Sequence, residues 1–259
     1  MRPEPAFEPA LALWPSRLWV VRHGQSAGNV ARDHAESSGL HRIDIAHRDI
    51  DTPLSSLGER QSRALGHWFS LLEEPPQVIL CSPYIRARET ARLLLDAWGP
   101  AAQGLRVRVD ERLREKEFGI LDRLTHHGIR HHHPELGEQR AHVGKFYFRP
   151  PGGESWCDVI LRLRSLLEMI CREYAQRRVL VVAHQVIVLC MRYLLEELEE
   201  REILDIDRQA DVPNCGITAY GHADGQDRMH LELANFVAPL QEAGAPVTAA
   251  PDASQAPKP

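Results

Sequence analysis

The sequence predicts an α/β fold, a three-layer sandwich in which helices flank both faces of a mostly parallel central sheet. Short apolar runs stand at 17–21, 77–81 and 178–183, and turn or polar residues bound each of them, as is typical of buried parallel strands. Helical patterns alternate with these runs along the chain. Such alternation indicates a layered α/β sheet, and ligands of open sheets of this kind sit outside the carboxyl ends of the strands.

Three further runs, at 105–110, 216–220 and 229–234, alternate apolar and polar residues more regularly. Alternation with a period of two predicts strands that are half-exposed or lie at an edge of the sheet.

Helix ends are marked by capping signals. The stretch SLGE, residues 56–59, predicts a capping box with Ser56 as the N-cap. The next helix is predicted to have Ser82 as N-cap, Pro83 as its first residue and Gly99 after its last turn. Two more helices are predicted, one starting at residues 155–158 and one over residues 185–200.

The 259 residues, 43% of them hydrophobic, are enough for one sizeable core. We expect one domain over residues 16–237, with a histidine-rich insert at about 120–150 acting as a lid over the site. Four prolines predict a flexible arm over residues 1–15, and Ala/Pro-rich composition predicts a disordered tail over residues 238–259.

Charge and apolar patterning exclude several classes of protein. A net charge of −5 argues against a nucleic-acid partner, and no apolar run reaches the ~20 residues needed to span a membrane. The start of the chain lacks the basic stretch and apolar segment of a signal peptide, so we predict a cytoplasmic protein. We expect it to be either a monomer or a homodimer. The five widely spaced cysteines indicate reduced core residues.

Three predicted strands end on chemically notable residues. The first ends at Arg22 and His23, the second leads into a helix that carries Arg86, and the strand over 178–183 ends at His184. If the strands are parallel neighbours, these four side chains converge. Two arginines around an imidazole disfavour a cation but suit an oxyanion such as phosphate, so we predict neither metal nor cofactor.

A neutral imidazole in such a pocket can attack phosphorus and form a covalent phosphohistidine. The small residues Gly24, Ser26, Ala27 and Gly28 would let backbone N–H groups approach the ligand, and Asn29 adds a side-chain donor. A proton must also reach the leaving oxygen. Glu115 and Glu117 both offer a carboxyl group for that transfer, and periodicity does not choose between them.

The stretch VRHGQSAGN, residues 21–29, resembles the signature of the histidine phosphatase superfamily, also called the phosphoglycerate mutase-like family. The resemblance covers roughly residues 17–236, and its motifs occur in family order. The supporting motifs are PLSSLGERQ (53–61), CSPYIRARETA (81–91), LREKEFG (113–119), PPGGES (150–155), VLVVAH (179–184) and VPNCGITAY (212–220).

The resemblance implies a phosphoglycerate mutase-like fold, with His23 as the nucleophile. It implies Glu115 as the acid, since the family's glutamate stands four residues before the motif glycine. The phosphate-binding residues that it implies are Arg22, Asn29, Arg86 and His184, with Gln25, Ser26 and Gln185 as possible additions.

The activity that we predict is hydrolysis of a small phosphorylated metabolite. A bisphosphoglycerate-dependent mutase is less favoured, because the lysine and paired arginines that such mutases carry after their glutamate are not found. The pair His184-Gln185 is similar to the one found in the fructose-2,6-bisphosphatase branch. A sugar bisphosphate is therefore an alternative substrate. A third alternative is a non-catalytic protein that binds a phosphorylated ligand.

The segment from 125 to 145 supports two interpretations. Its six histidines could bind a transition metal, but an insert over the active site is favoured. The basic residues that could then contact substrate are Arg123, Arg130, Arg140 and Lys145.

Overall fold

The computed structural model describes residues 14–223 and 225–249. Its strands are β1 (Arg17–Arg22), β2 (Val78–Cys81), β3 (Val107–Val109), β4 (Arg178–Ala183), β5 (Ile217–Gly221) and β6 (His230–Phe236). They form one sheet in the order β3-β2-β4-β1-β5-β6. Strands β3, β2, β4 and β1 are mutually parallel, whereas β5 pairs antiparallel with both β1 and β6. The predicted mostly parallel sheet is confirmed.

The α-helices of the described residues are α1 (Ala27–Ser37), α2 (Ser56–Ser70), α3 (Ile85–Trp98), α4 (His126–His132), α5 (Pro134–Val143), α6 (Trp156–Glu173), α7 (Gln185–Leu195), α8 (Glu200–Gln209) and α9 (Ala238–Glu242). A short 3₁₀ helix, Asp49–Asp51, lies between α1 and α2.

Two hydrophobic cores lie on opposite faces of the sheet. Because successive strand residues point to opposite faces, Val20 contributes to one core and Val21 to the other. Helices α6 and α7 cover the first face through side chains such as Leu163 and Ile187. Helices α2, α3 and α9 cover the second face, which confirms the predicted three-layer sandwich.

Of the three runs predicted to be half-exposed or edge strands, two agree with the structure and one does not. Strands β3 and β6 are the edges of the sheet, as the alternation of residues 105–110 and 229–234 indicated. The prediction for residues 216–220 is wrong, because β5 is buried and pairs on both sides.

Two predicted N-caps also differ. Helix α2 is capped by Ser55, not Ser56, and the Ser55 hydroxyl accepts from the Gly58 N–H at 3.1 Å. Ser55 is extended while Ser56 is already helical. Helix α3 begins at Ile85 instead of Pro83, with Tyr84 as its N-cap, and the Ser82 hydroxyl bonds to a histidine described below.

Later helix ends show one agreement and one difference. Ser155 caps α6 in a capping box with Asp158, which confirms the start predicted at 155–158. The helix predicted over 185–200 is instead two helices. The first ends at Leu195, and Glu197 then takes a positive φ of 54°, a left-handed conformation that stops a helix.

The tail prediction is wrong for residues 238–249. Leu240 of α9 is fully buried against the second core, and the Gln61 Nε2 donates to the carbonyl of Pro246 at 2.8 Å. Thr248 bonds to Asn214 through its hydroxyl at 2.9 Å. The buried side chains of Leu240 and Ala245, together with a few hydrogen bonds, thus hold a segment whose composition indicated disorder. Residues 1–13 and 250–259 lie outside the described residues.

Helices α2 and α3 are in close contact at Gly66. A Cβ at this position would lie 2.2 Å from the carbonyl oxygen of Leu94 and 2.8 Å from the Cβ of Ala97. We expect Gly66→Ala to lower the free energy of unfolding by about 1–3 kcal/mol, because the helices must move apart. In the control Gly137→Ala, in α5, the added methyl group meets nothing within 4 Å.

The control variant should gain about 0.5–1 kcal/mol, since alanine favours a helix more than glycine does. Urea unfolding followed by circular dichroism measures both variants. Equal stability of Gly66→Ala and the wild type would contradict the close approach.

Candidate active site

The carboxyl ends of three adjacent strands meet at one place. The backbone N–H of His23, directly after β1, donates to the carbonyl of Ala183 at 2.9 Å. The N–H of Ser82, directly after β2, donates to the carbonyl of Val182 at 3.0 Å. Because β4 lies between β1 and β2, the residues after all three strands become neighbours, as the sequence predicted.

The imidazole of His23 is fully buried and held in one tautomer. Its Nδ1 lies 2.7 Å from the carbonyl oxygen of Gly24, which can only accept, so Nδ1 carries the proton. The Nε2 therefore presents a lone pair, and the Nε of Arg86 donates to it at 3.2 Å. The ring of His184 lies edge-on to that of His23, with centroids 5.1 Å apart.

The backbone around His23 is held from several sides. The N–H of Gly24 donates to Thr90 Oγ1 of α3 at 3.0 Å, and Asn214 Nδ2 donates to the carbonyl of His23 at 3.1 Å. Only glycine fits at position 24, because a Cβ there would lie 2.5 Å from the carbonyl oxygen of Gly58. The position of the imidazole is therefore fixed by β1, α2, α3 and the residues before β5.

Two arginines near the strand ends have buried guanidinium groups. Arg22 is fully buried and donates through Nη1 to the carbonyl of Val212 at 2.7 Å. Arg86, on the first turn of α3, is 2% exposed and forms an ion pair with Asp49. Its guanidinium carbon also lies 4.8 Å from the centre of the Tyr84 ring. Such buried, oriented forks are suited to binding oxyanions.

His184 is enclosed by polar and aromatic groups. Its Nε2 lies 2.7 Å from the Ser82 hydroxyl, and its ring meets that of Tyr84 with centroids 5.0 Å apart. Burial raises the pKa of the Tyr84 phenol well above its usual value, so the phenol stays protonated and donates to Glu117 at 3.2 Å. These contacts fix the orientation of the His184 ring.

The two candidate acids differ in burial. Glu115 is 1% exposed and accepts the backbone N–H of Lys116 at 2.8 Å, whereas Glu117 is exposed. Burial lowers the pKa of the Lys116 ammonium to about 8, although the charge of Glu115 opposes that shift. Both carboxylates lie close enough to raise the pKa of Tyr84.

The glycine-rich stretch after His23 uses its own amides within the protein, contrary to the expectation that they approach a ligand. Its N–H groups from residue 24 to 27 donate to Thr90, Gln61, Asn29 and Pro53 in turn. Ser26 and Asn29 form the capping box of α1, which orients the Asn29 carboxamide with its oxygen toward the cap.

The remaining candidates are held by polar neighbours. The side-chain oxygen of Gln25 accepts from Ser55 Oγ at 2.7 Å. Gln185, the first residue of α7, donates through Nε2 to Asp211 at 3.0 Å.

An open cleft lies beside Arg86. The residues that line it include Asn29, Arg32, Asp49, Asp122 and Arg123. Of the four basic residues proposed for substrate contact, Arg123 is therefore next to this cleft. Its guanidinium donates to the carbonyls of Ile45 and His47 at 3.2 and 2.6 Å.

The other basic residues of the histidine-rich segment have different surroundings. Lys145 forms an ion pair with Asp207 of α8, and burial lowers the pKa of Arg140. Arg130 is exposed and contacts His127 at 3.4 Å.

The histidine-rich segment folds as α4 and α5 and attaches to the residues after α1. The N–H of Thr125 donates to the carbonyl of His41 at 3.1 Å, and the His41 ring lies 4.5 Å from that of His131. Over residues 14–223 and 225–249, no three His, Cys, Asp or Glu side chains are placed to hold a metal ion. No helix in this part of the chain is long and apolar enough to cross a membrane.

Sequence reasoning missed four residues of the site. Asp49 pairs with Arg86 from a short 3₁₀ helix that carries no motif. Ser82 was interpreted as a helix cap but bonds to His184, and Tyr84 packs beside it. Asn214 lies in the motif VPNCGITAY and was given no role, although that motif was the available signal.

Known proteins resemble this chain over most of its length. Over 196 residues it is 30% identical to a 6-phosphofructo-2-kinase/fructose-2,6-bisphosphatase of Caenorhabditis elegans, covering 75% of this chain and only 37% of that protein. It is 29% identical over 200 residues to a 2,3-bisphosphoglycerate-dependent phosphoglycerate mutase of Sinorhizobium fredii, covering 76% of this chain and 87% of that protein.

A solved structure shows the same fold. The complex of mycobacterial glucosyl-3-phosphoglycerate phosphatase with inorganic phosphate superposes with a TM-score of 0.65 at 28% identity, covering 86% of this chain and 99% of that one. The model of the histidine phosphatase superfamily (branch 1) matches residues 18–232. With the strand-end histidines and buried arginines already described, this match shows that the chain belongs to the histidine phosphatase superfamily.

Proposed function

We propose that the protein is a phosphomonoesterase that hydrolyses a small phosphorylated metabolite through a phosphohistidine at His23. The observation that carries this proposal is the fixed tautomer of His23. The hydrogen bond from Nδ1 to the Gly24 carbonyl leaves Nε2 as the nucleophilic atom, and that atom faces Arg86.

In the first step, the lone pair of His23 Nε2 attacks phosphorus in line with the ester oxygen. The P–O bond to the leaving group breaks as the N–P bond forms, and Glu115 donates its proton to the leaving oxygen. Arg22, Arg86, His184 and Asn29 hold the non-bridging oxygens. The two arginines offset the negative charge of the phosphoryl group, so the reaction needs no metal ion.

In the second step, water attacks the phosphorus of phosphohistidine. Glu115, now a carboxylate, accepts a proton from that water as the N–P bond breaks. The electron pair of that bond returns to Nε2, and inorganic phosphate leaves. Glu115 is again protonated and His23 is again neutral, so the cycle is balanced.

The test is hydrolysis of p-nitrophenyl phosphate, followed by release of p-nitrophenolate, with and without EDTA. We expect turnover that EDTA does not change, because the proposed steps use only side chains and water. Loss of turnover in EDTA and its return with an added divalent cation would contradict the proposal.

The names of two relatives suggest alternative phosphoryl-transfer activities. The Sinorhizobium relative is named as a mutase, and the nematode relative includes a fructose-2,6-bisphosphatase. Incubation with 3-phosphoglycerate and a bisphosphoglycerate primer separates these activities. A mutase would produce the isomer without net release of phosphate, whereas the proposed enzyme releases phosphate. A panel of phosphorylated metabolites, including sugar bisphosphates, then identifies the substrate.

A further inference from the structure

We propose that Asp49 is a built-in competitor for the phosphate site, and that a phosphoryl group must displace its carboxylate from Arg86 in order to bind. The inference rests on the proposed function, in which Arg86 binds the phosphoryl oxygens. It assigns to Asp49 a role in setting the affinity for substrate and for the product phosphate.

The contact between the two residues uses both terminal nitrogens of the guanidinium, Nη1 and Nη2. Asp49 Oδ1 accepts from Arg86 Nη1 at 3.0 Å, and Oδ2 accepts from Nη2 at 3.3 Å. The backbone carbonyl of Asp49 also accepts from Nη1 at 2.6 Å. The third nitrogen, Nε, donates to His23.

A carboxylate and a phosphoryl group match the same arginine fork. Both present two oxygens that accept parallel N–H donors, and both carry negative charge. They cannot occupy one pair of donors together, and each would repel the other at that distance. Binding of a phosphoryl group to Nη1 and Nη2 therefore requires the Asp49 side chain to leave.

The two partners differ in their freedom to move. The Arg86 side chain is 2% exposed, whereas that of Asp49 is 41% exposed and borders the open cleft. Asp49 also belongs to a three-residue 3₁₀ helix, not to a long element. The arginine can thus remain in place while the aspartate rotates toward the cleft.

Displacement weakens the apparent affinity for every phosphate ligand. When only a fraction of molecules have the binding site open, the observed dissociation constant rises in inverse proportion to that fraction. A phosphate ester can regain the loss through contacts of its leaving group in the cleft, but inorganic phosphate has no such contacts. Asp49 would therefore favour release of the product.

The test compares inhibition by inorganic phosphate of p-nitrophenyl phosphate hydrolysis in the wild type, Asp49→Asn and Asp51→Asn. Asp51 belongs to the same 3₁₀ helix but pairs with the exposed Arg48, so it is a matched control. We expect Asp49→Asn to lower both the inhibition constant of phosphate and the KM by about tenfold, with less change in kcat. Asp51→Asn should match the wild type.

A second variant separates charge from shape. Asp49→Glu keeps the carboxylate and should stay closer to the wild type than Asp49→Asn does. The contact from the Asp49 backbone carbonyl to Arg86 does not depend on the side chain, so thermal unfolding should show both variants folded.

Unchanged phosphate inhibition in Asp49→Asn, or an equal change in Asp51→Asn, would overturn the inference while leaving the hydrolytic function intact. If the wild type hydrolyses no ester, the proposed function fails. Binding of inorganic phosphate is then measured as a rise in unfolding temperature, because a ligand that binds the native state stabilises it. In that assay a larger phosphate-induced rise for Asp49→Asn still supports the role of Asp49, and an equal rise overturns it.

Discussion

His23→Asn is expected to lower kcat for p-nitrophenyl phosphate by on the order of 10⁴-fold or more, because the variant removes the atom that forms the covalent bond to phosphorus. Asparagine keeps a side-chain N–H that can donate to the Gly24 carbonyl, as Nδ1 of His23 does at 2.7 Å. The buried position is therefore filled by a polar group of smaller volume, and the loss of activity reports the missing Nε2.

Steady-state rates should be measured together with trapping of the intermediate. Wild-type enzyme quenched with a labelled aryl phosphate should carry phosphate that is labile in acid, and His23→Asn should carry none. The control is His67→Asn, since His67 is exposed on α2. Turnover near the wild-type rate in His23→Asn would exclude His23 as the nucleophile.

Glu115→Gln is expected to lower kcat for an alkyl phosphate by about 10²–10⁴-fold, the usual range for loss of a general acid. The same variant should behave differently with 2,4-dinitrophenyl phosphate, whose leaving group needs no proton. There the first step remains fast, but activation of water in the second step is lost. We therefore expect a burst of one dinitrophenolate per active site, followed by slow turnover.

Rapid-mixing absorbance measures that burst, and Glu117→Gln is its matched control. Glu117 stands two residues away and is exposed, with its contact directed to the Tyr84 hydroxyl. Its variant should hydrolyse both substrates at close to the wild-type rate. A severe defect in Glu117→Gln combined with a mild one in Glu115→Gln would reverse the assignment of the acid.

The convergence of the site was predictable because strand ends follow from apolar periodicity. Each of the runs at 17–21, 77–81 and 178–183 stops at a polar group, and parallel strands bring such ends together. Arg86 could be added because a helix was predicted to follow the second strand. The family motifs then distinguished Glu115 from Glu117, which periodicity could not do.

Contacts that form only in the tertiary structure could not be predicted from sequence patterns. Ser82 before Pro83 satisfies the usual preferences for a helix start, yet its hydroxyl lies 2.7 Å from His184. Asp49 stands in a segment without periodicity and meets Arg86 only because the loop after α1 folds back onto α3. Composition likewise indicated disorder after residue 237, where two buried apolar side chains and a few hydrogen bonds hold the segment.

The ordered segment after α9 links the far end of the chain to the reacting imidazole. Thr248 accepts the Asn214 N–H through its carbonyl at 2.7 Å and donates to the Asn214 side chain, while Asn214 Nδ2 holds the carbonyl of His23. A single residue, Asn214, thus connects Thr248 to the nucleophile. Residues 245–248 therefore act as a brace for the active site, and a truncation before them would remove a support of His23 itself.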